Sequence, residues 1–135
     1  MLIDKKLLDE LCAQAKASPR LRMNYDLRTS SADGSQRMLN ALEMGTVIPI
    51  HRHQDTAETV IMLRGSVKEM FYDITDGTAV KTAEFILKAG SDACALQIPK
   101  GQWHTLECLE PGSVLFEAKD GAFVPRNEND EFHAK

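Results

Sequence analysis

The chain has 135 residues, 43% of them hydrophobic and 27% charged, with a formal net charge of −4. That is the size of one compact domain with an apolar core of its own, and the acidic balance argues against a general nucleic-acid binder, which needs a basic face to neutralise phosphates. Cys12, Cys94 and Cys108 share no CxxC spacing, so a disulfide framework or a cysteine zinc site is disfavoured and reduced thiols in the cytosol are expected.

The first residues, MLIDKKLLDELCAQAKA, lack the uninterrupted apolar stretch of a signal peptide, and no apolar run is long enough to cross a bilayer. A cytoplasmic protein with no membrane partner is the expectation. Leu7, Leu8, Leu11 and Ala15 recur at helical spacing. They predict one amphipathic helix from Asp4, as N-cap, to about Ala17, stopped by Ser18-Pro19. A loop with room for a short strand at its start follows, with Arg20, Arg22 and Arg28 close together and a Ser/Asp/Gly turn near Ser31 to Ser35.

Beyond Gln36 the chain becomes a series of short runs rich in Val, Ile, Leu, Phe and Thr. They are punctuated at Gly45, Gly65, Asp76-Gly77, Gly90, Gly101, Pro111-Gly112 and Asp120-Gly121. This spacing predicts a β-sandwich or barrel. The expected strands are Arg37–Met44, Val47–His53, Glu58–Leu63, Val67–Asp73, Val80–Leu87, Cys94–Ile98, Trp103–Cys108 and Ser113–Lys119. The tail FVPRNENDEFHAK is polar and is expected to wrap the surface or fray.

Within these strands one stretch carries chemistry, GTVIPIHRHQDTAETVIMLRG. Residues two apart on a strand share a face, so His51 and His53 can project into one interior while Arg52 points away, and Glu58 starts the next strand beside them. In PKGQWHTLEC, Pro99 and Gly101 set a turn that feeds His104 into a strand, and a closed barrel brings His104 to the same interior. Any one of these histidines alone is more plainly a surface or core residue. Four such groups buried together without a cation would cost several kcal/mol each, so His51, His53, Glu58 and His104 are expected to hold one divalent metal ion. Fe, Mn, Ni and Zn all suit that ligand set.

The spacing G-x5-H-x-H-x4-E-x6-G, at Gly45, His51, His53, Glu58 and Gly65, resembles the first motif of the cupin superfamily without a spacing error. The second cupin motif, G-x5-P-x-G-x2-H-x3-N, is matched at Pro99, Gly101 and His104. It departs at its first glycine, with eight residues between Gly90 and Pro99, and at its last position, where Cys108 stands for asparagine. LLDELCAQAKASPRLRMNY, QRMLNALEMGT and IPKGQWHTLECLEPGSVLFEAKDGAF further resemble the WbuC-type cupin-fold metalloproteins associated with O-antigen and capsular polysaccharide clusters. The resemblance implies a mainly β, single-cupin jelly-roll barrel (a double-stranded β-helix) with an N-terminal α-helix. Residues 1–36 would form helix and loop packed on the barrel, 37–124 the barrel and 125–135 a polar tail. It also implies a metal on three histidines and one glutamate, and leaves the reaction open.

Around that site, Arg20, Arg22 and Tyr25 are candidates to line the barrel mouth and bind a phosphate or carboxylate; a solvated basic loop is the alternative. Asn40 shares a strand face with Met38 and Leu42 and is the inward candidate in preference to Arg37. Glu117 and Lys119 are weaker candidates. Cys108 reads as a small core residue, Trp103 as packing outside the barrel and His133 as solvated. The function expected is metal-assisted isomerisation or epimerisation of a sugar or sugar-nucleotide in surface polysaccharide synthesis. The alternatives are a metal-dependent binding module without turnover and an Fe(II) dioxygenase. A small-molecule ligand such as a carbohydrate, and pairing into a homodimer through edge strands, are expected.

Overall fold

A computed structural model describes residues 1–134. The chain order is α1 (Lys5–Ala17), β1 (Arg22–Asp26), β2 (Ser35–Leu42), β3 (Glu58–Arg64), β4 (Ser66–Thr75), β5 (Thr78–Lys88), β6 (Ala95–Ile98), β7 (Trp103–Cys108), β8 (Ser113–Asp120) and a 3-10 turn at Glu128–Asp130. Two antiparallel sheets form, ordered β1-β2-β8-β3-β6 and β5-β4-β7. They face one another as a jelly roll carrying a single N-terminal helix.

Helix α1 begins where the Asp4 carboxylate accepts the Leu7 amide at 3.0 Å, satisfying one of the unpaired donors of the first turn. Its apolar stripe, Leu7, Leu8, Leu11 and Ala15, packs on Leu39, Ala41 and Val114. Those three lie on the outer face of β2 and β8. The opposite parity of the same strands, Leu42 and Leu115, joins Val60, Met62, Val67, Leu87, Ile98 and Cys108 between the sheets. Strands β2 and β8 are therefore covered on both faces, and each face has its own core.

Gly65, the last residue of the first motif, joins β3 to β4 at φ +74°, in the left-handed region. A Cβ there would meet the Ser113 Cα at 2.8 Å. The close approach lets the Ser113 hydroxyl accept the Ser66 amide at 3.1 Å and donate to the Glu110 carbonyl at 2.8 Å. Only a residue without a side chain permits that junction.

One expectation needs correction. Val47–His53 is not a strand: Pro49 lacks an amide for a ladder, and the segment pairs only at His51, which bridges to His104 on one side and to Glu131 on the other. The segment after the helix does open on a short strand, β1, which pairs with β2 from Arg22↔Leu42 to Asp26↔Met38. Of the two alternatives for the tail, the structure has it wrapped on the surface. The Phe132 amide donates to the Ile50 carbonyl at 2.8 Å, the Arg52 amide to the Asp130 carbonyl at 3.0 Å, and the Asn127 side chain caps the 3-10 turn.

Candidate metal centre

At one end of the barrel a pocket of about 830 Å³ opens between the sheets. His51, His53 and His104 project into it, each offering a ring nitrogen within 4.8 Å of the other two. The His51 and His104 backbones are tied by reciprocal hydrogen bonds of 3.0 and 2.8 Å, while the His53 carbonyl accepts the Gly101 amide at 2.8 Å. The histidine segment, though not a strand, is thus pinned to β7 and its lead-in turn on one side and to the tail on the other.

The ring tautomers follow from their partners. Nδ1 of His51 lies 2.8 Å from the Pro49 carbonyl and Nδ1 of His104 lies 2.8 Å from the Gln102 carbonyl. A carbonyl only accepts, so each Nδ1 carries the hydrogen and each Nε2 keeps its lone pair for the pocket. Nε2 of His53 and of His104 approach Glu58 Oε2 at 3.2 and 3.5 Å. Neither approach is aligned as a hydrogen bond, and this buried oxygen is left with no partner. Unpartnered buried oxygens are costly. Imidazole lone pairs gathered around an orphaned carboxylate oxygen are a donor set that fits a divalent cation. Glu58 stands against two of the three histidines, and the mutually close set is the histidines alone.

Electrostatics agree with that fit. Burial and the neighbouring His104 push the His51 pKa down to about 3, so its imidazole is neutral. Burial alone would raise the Glu58 carboxyl, but the His104 and His53 rings hold it well below the usual range. Burial would lower His104, yet Glu58 raises it. The metal-free pair therefore attracts a proton that a metal would displace.

Strand register supplies the rest of the floor. Glu58 faces Lys119, and Lys119 faces Gln36, across β3, β8 and β2; the next rows are Val60, Glu117, Met38 and then Met62, Leu115, Asn40. The Asn40 amide donates to Glu117 Oε1 at 3.3 Å, and Lys119 Nζ lies 3.2 Å from Glu117 Oε2. The Asn40 side-chain oxygen has no partner. Glu117 and Lys119, expected to be minor, are central to this floor because Leu115, Glu117 and Lys119 share one face of β8. Burial and the Glu58 charge push Glu117 up to about 7.

The largest omission from the sequence reading is Glu69. It is 1% exposed on β4, lines the pocket, and its Oε2 has no hydrogen-bond partner. Burial pushes its carboxyl up to about 8, so it holds a proton at neutral pH. The signal was present: Val67 and Glu69 share a parity on an apolar strand, and Val67 is wholly buried.

Of the mouth candidates, Arg20 and Arg22 line the pocket and Tyr25 does not. Alternation on β1 explains the error, because Arg22 and Asn24 face the pocket while Met23 and Tyr25 pack beneath α1. Arg52, expected to point away, is among the residues lining the pocket; its guanidinium lies over the Trp103 ring, 4.6 Å from the centroid, and Nε donates to Asp130 at 3.0 Å. Cys108 is buried in the core, the three cysteines are free, and the His133 side chain is 64% exposed. Among the described residues no helix is long and apolar enough to cross a membrane.

The sequence model of a family described as a domain of unknown function (DUF6016) matches residues 3–85. No curated protein matches the chain. KdgF from a Halomonas species is similar in structure at 15% identity and TM-score 0.59, over 83% of this chain and 84% of that one. CapF from Staphylococcus aureus, a capsular polysaccharide assembling protein, aligns at 17% identity and TM-score 0.63 over 87% of this chain and 33% of its own. This chain thus spans about a third of CapF. The cupin domain of Schizosaccharomyces pombe Cnp3 aligns at 10% identity and TM-score 0.58, over 74% of this chain and 64% of that one. These likenesses establish the cupin fold.

Proposed function

The chain belongs to this family, the domain of unknown function DUF6016, and from that premise we propose that it is a cupin metalloprotein of the WbuC type. In this reading it acts on a sugar or sugar-nucleotide intermediate of surface polysaccharide synthesis, by isomerisation, epimerisation or a similar proton-transfer reaction. The observation that carries the reading is the convergence of His51, His53 and His104 with the orphaned Glu58 oxygen in a pocket of about 830 Å³, roomy enough for a sugar. The likeness to CapF supports the pathway by fold alone.

When bound, a divalent ion supplies Lewis acidity towards a ligand oxygen. The chain's own groups do the rest. His51, His53, His104 and Glu58 hold the ion, and Asn40 offers a free amide oxygen to a ligand hydroxyl. Glu69 keeps a proton on a carboxyl that faces the pocket, the kind of group that proton transfer at a sugar carbon requires. Cytoplasmic residence and pairing through an open sheet edge, at β1, β5 or β6, complete the proposal.

Deuterium incorporation tests it. Protein loaded with Fe, Mn, Ni or Zn and incubated with nucleotide sugars in D2O should exchange a carbon-bound hydrogen, seen by proton NMR, and His104→Ala should abolish the exchange. Oxygen-dependent loss of substrate would instead support a dioxygenase. Saturable binding without exchange or product would leave a binding module.

A further inference from the structure

Besides Arg52, which is committed to Asp130, three arginines line the pocket from two parts of the chain: Arg20 just before β1, Arg22 at its first position and Arg126 in the tail. Their partners are few. Arg22 Nη1 donates to the Val47 carbonyl at 2.8 Å and to the Thr46 hydroxyl at 3.4 Å, both neutral oxygens. Arg20 makes no side-chain hydrogen bond or ion pair among the described residues, although its carbonyl accepts the Thr46 hydroxyl at 2.7 Å, which fixes its backbone beside Arg22. Arg126 gives Nε and Nη2 to one oxygen of Glu131, at 3.1 and 2.8 Å, leaving Nη1 uncommitted. Asp55 and Asp120 also line the pocket but bridge none of the three.

The charges are close enough to oppose one another. Burial, then the Arg20 and Arg126 charges, lower the Arg22 pKa. Arg126 lines the same pocket as the histidines and Lys119. Deeper down, Lys119 pairs with Glu117; of the acidic residues that line the pocket, Asp130 is committed to Arg52 and Glu131 is the one that pairs with any of Arg20, Arg22 and Arg126. Arg22 is partly buried with only neutral oxygens as partners, a guanidinium so placed gains from an anionic partner, and the planar donor forks of arginines match carboxylate and phosphate oxygens.

We propose that the pocket takes an anionic ligand whose carboxylate or phosphate is gripped at the mouth by Arg22, Arg20 and Arg126 while the rest of the ligand reaches toward the histidines. This rests on the reading of the site as a sugar pocket and specifies the class of sugar, an acidic or phosphorylated one. The C-terminal strap then has a role in recognition, since it delivers Arg126 and is held by Asp130 to Arg52 and Gln54.

Calorimetric titration of the full chain with glucose, glucuronate, glucose 6-phosphate and inorganic phosphate, with and without added zinc, tests it. Wild type should bind one of the two anionic sugars at least about tenfold more tightly than glucose, and 0.5 M salt should erode that preference. Arg22→Gln and Arg126→Gln should bring the ratio toward one. Arg20→Gln, at an exposed side chain without bonds to lose, covers the case in which the other variants misfold. The tighter of glucuronate and glucose 6-phosphate distinguishes carboxylate from phosphate. A preference that survives all three substitutions would belong to the metal and would overturn the proposal. Glucose bound as well as its acidic forms would overturn it while leaving the sugar reading intact. Arginine-dependent binding of inorganic phosphate without any sugar would keep the anion site and sink the sugar reading. Silence from all four probes would defeat both.

Discussion

The two ends of the barrel are built from the same strands with the same alternation, yet they do opposite things. At the closed end the inward positions are Leu42, Met62, Val67 and Cys108, buried and apolar, with Leu115 on β8 at the boundary with the pocket. Towards the open end the inward positions of those strands become Asn40, Glu58, Glu69, His104, Glu117 and Lys119. The first set stabilises the fold. The second places buried polar atoms without partners, on Asn40, Glu58 and Glu69, where a folded chain alone has no use for them. The site is therefore expected to be a net cost to stability that ligand or metal offsets, and substitutions at the two ends should differ in sign.

Leu42→Ala at the closed end should cost about 2–5 kcal/mol in urea unfolding, with metal uptake by the surviving folded protein unchanged. An equal loss of metal would mean that the two ends are not separable. Gly65→Ala should cost roughly 1–3 kcal/mol from backbone strain, with more from the collision with Ser113.

Glu69→Gln should move the other way. Its folded carboxyl keeps a proton up to about pH 8, against an ordinary 4.5, so the unfolded state loses that proton first and metal-free wild type should weaken as pH climbs between those values. The substitution should flatten this decline and stabilise the metal-free protein at pH 8 by on the order of 1–3 kcal/mol. Unfolding midpoints at pH 5 and pH 8 check it; a destabilised Glu69→Gln at pH 8 would contradict the contrast between the ends. His51 acts on the acid side. It is neutral down to about pH 3 when folded, against 6.5 ordinarily, so stability falls as pH drops below 6.5, and His51→Ala should reduce that slope. His133→Ala, at an exposed side chain, should change neither stability nor metal binding.

Much of this was legible in the chain because strand parity and glycine punctuation are local. The helix cap at Asp4, the long strands β3 to β5 and the inward set Glu58, Val60 and Met62 follow from a period of two and a Gly-flanked run. Failures came where non-local contacts decided. Val47–His53 has strand composition, but Pro49 denies it a ladder and the tail holds it instead. Arg126 lies in a stretch with no periodicity, and non-local contacts of the tail, Asp130 with Arg52 and Gln54 and Phe132 with Ile50, carry it to the pocket. Tyr25 and Glu69 are of another kind, since alternation along their own strands puts Tyr25 with Met23 beneath α1 and Glu69 with Val67 inside the barrel.

The central claim is that the open end is a metal site, and elemental analysis of protein purified without an affinity tag tests it most directly. Wild type, His51→Ala and His104→Ala would be compared after reconstitution with iron, manganese, nickel or zinc at pH 7.5 and pH 5.5. Near one equivalent in wild type, weakened in acid as protons compete for Glu58 and His104 and lost in both variants, is the predicted result. Wild type that stays empty with every metal, or variants that load as well as wild type, would contradict it.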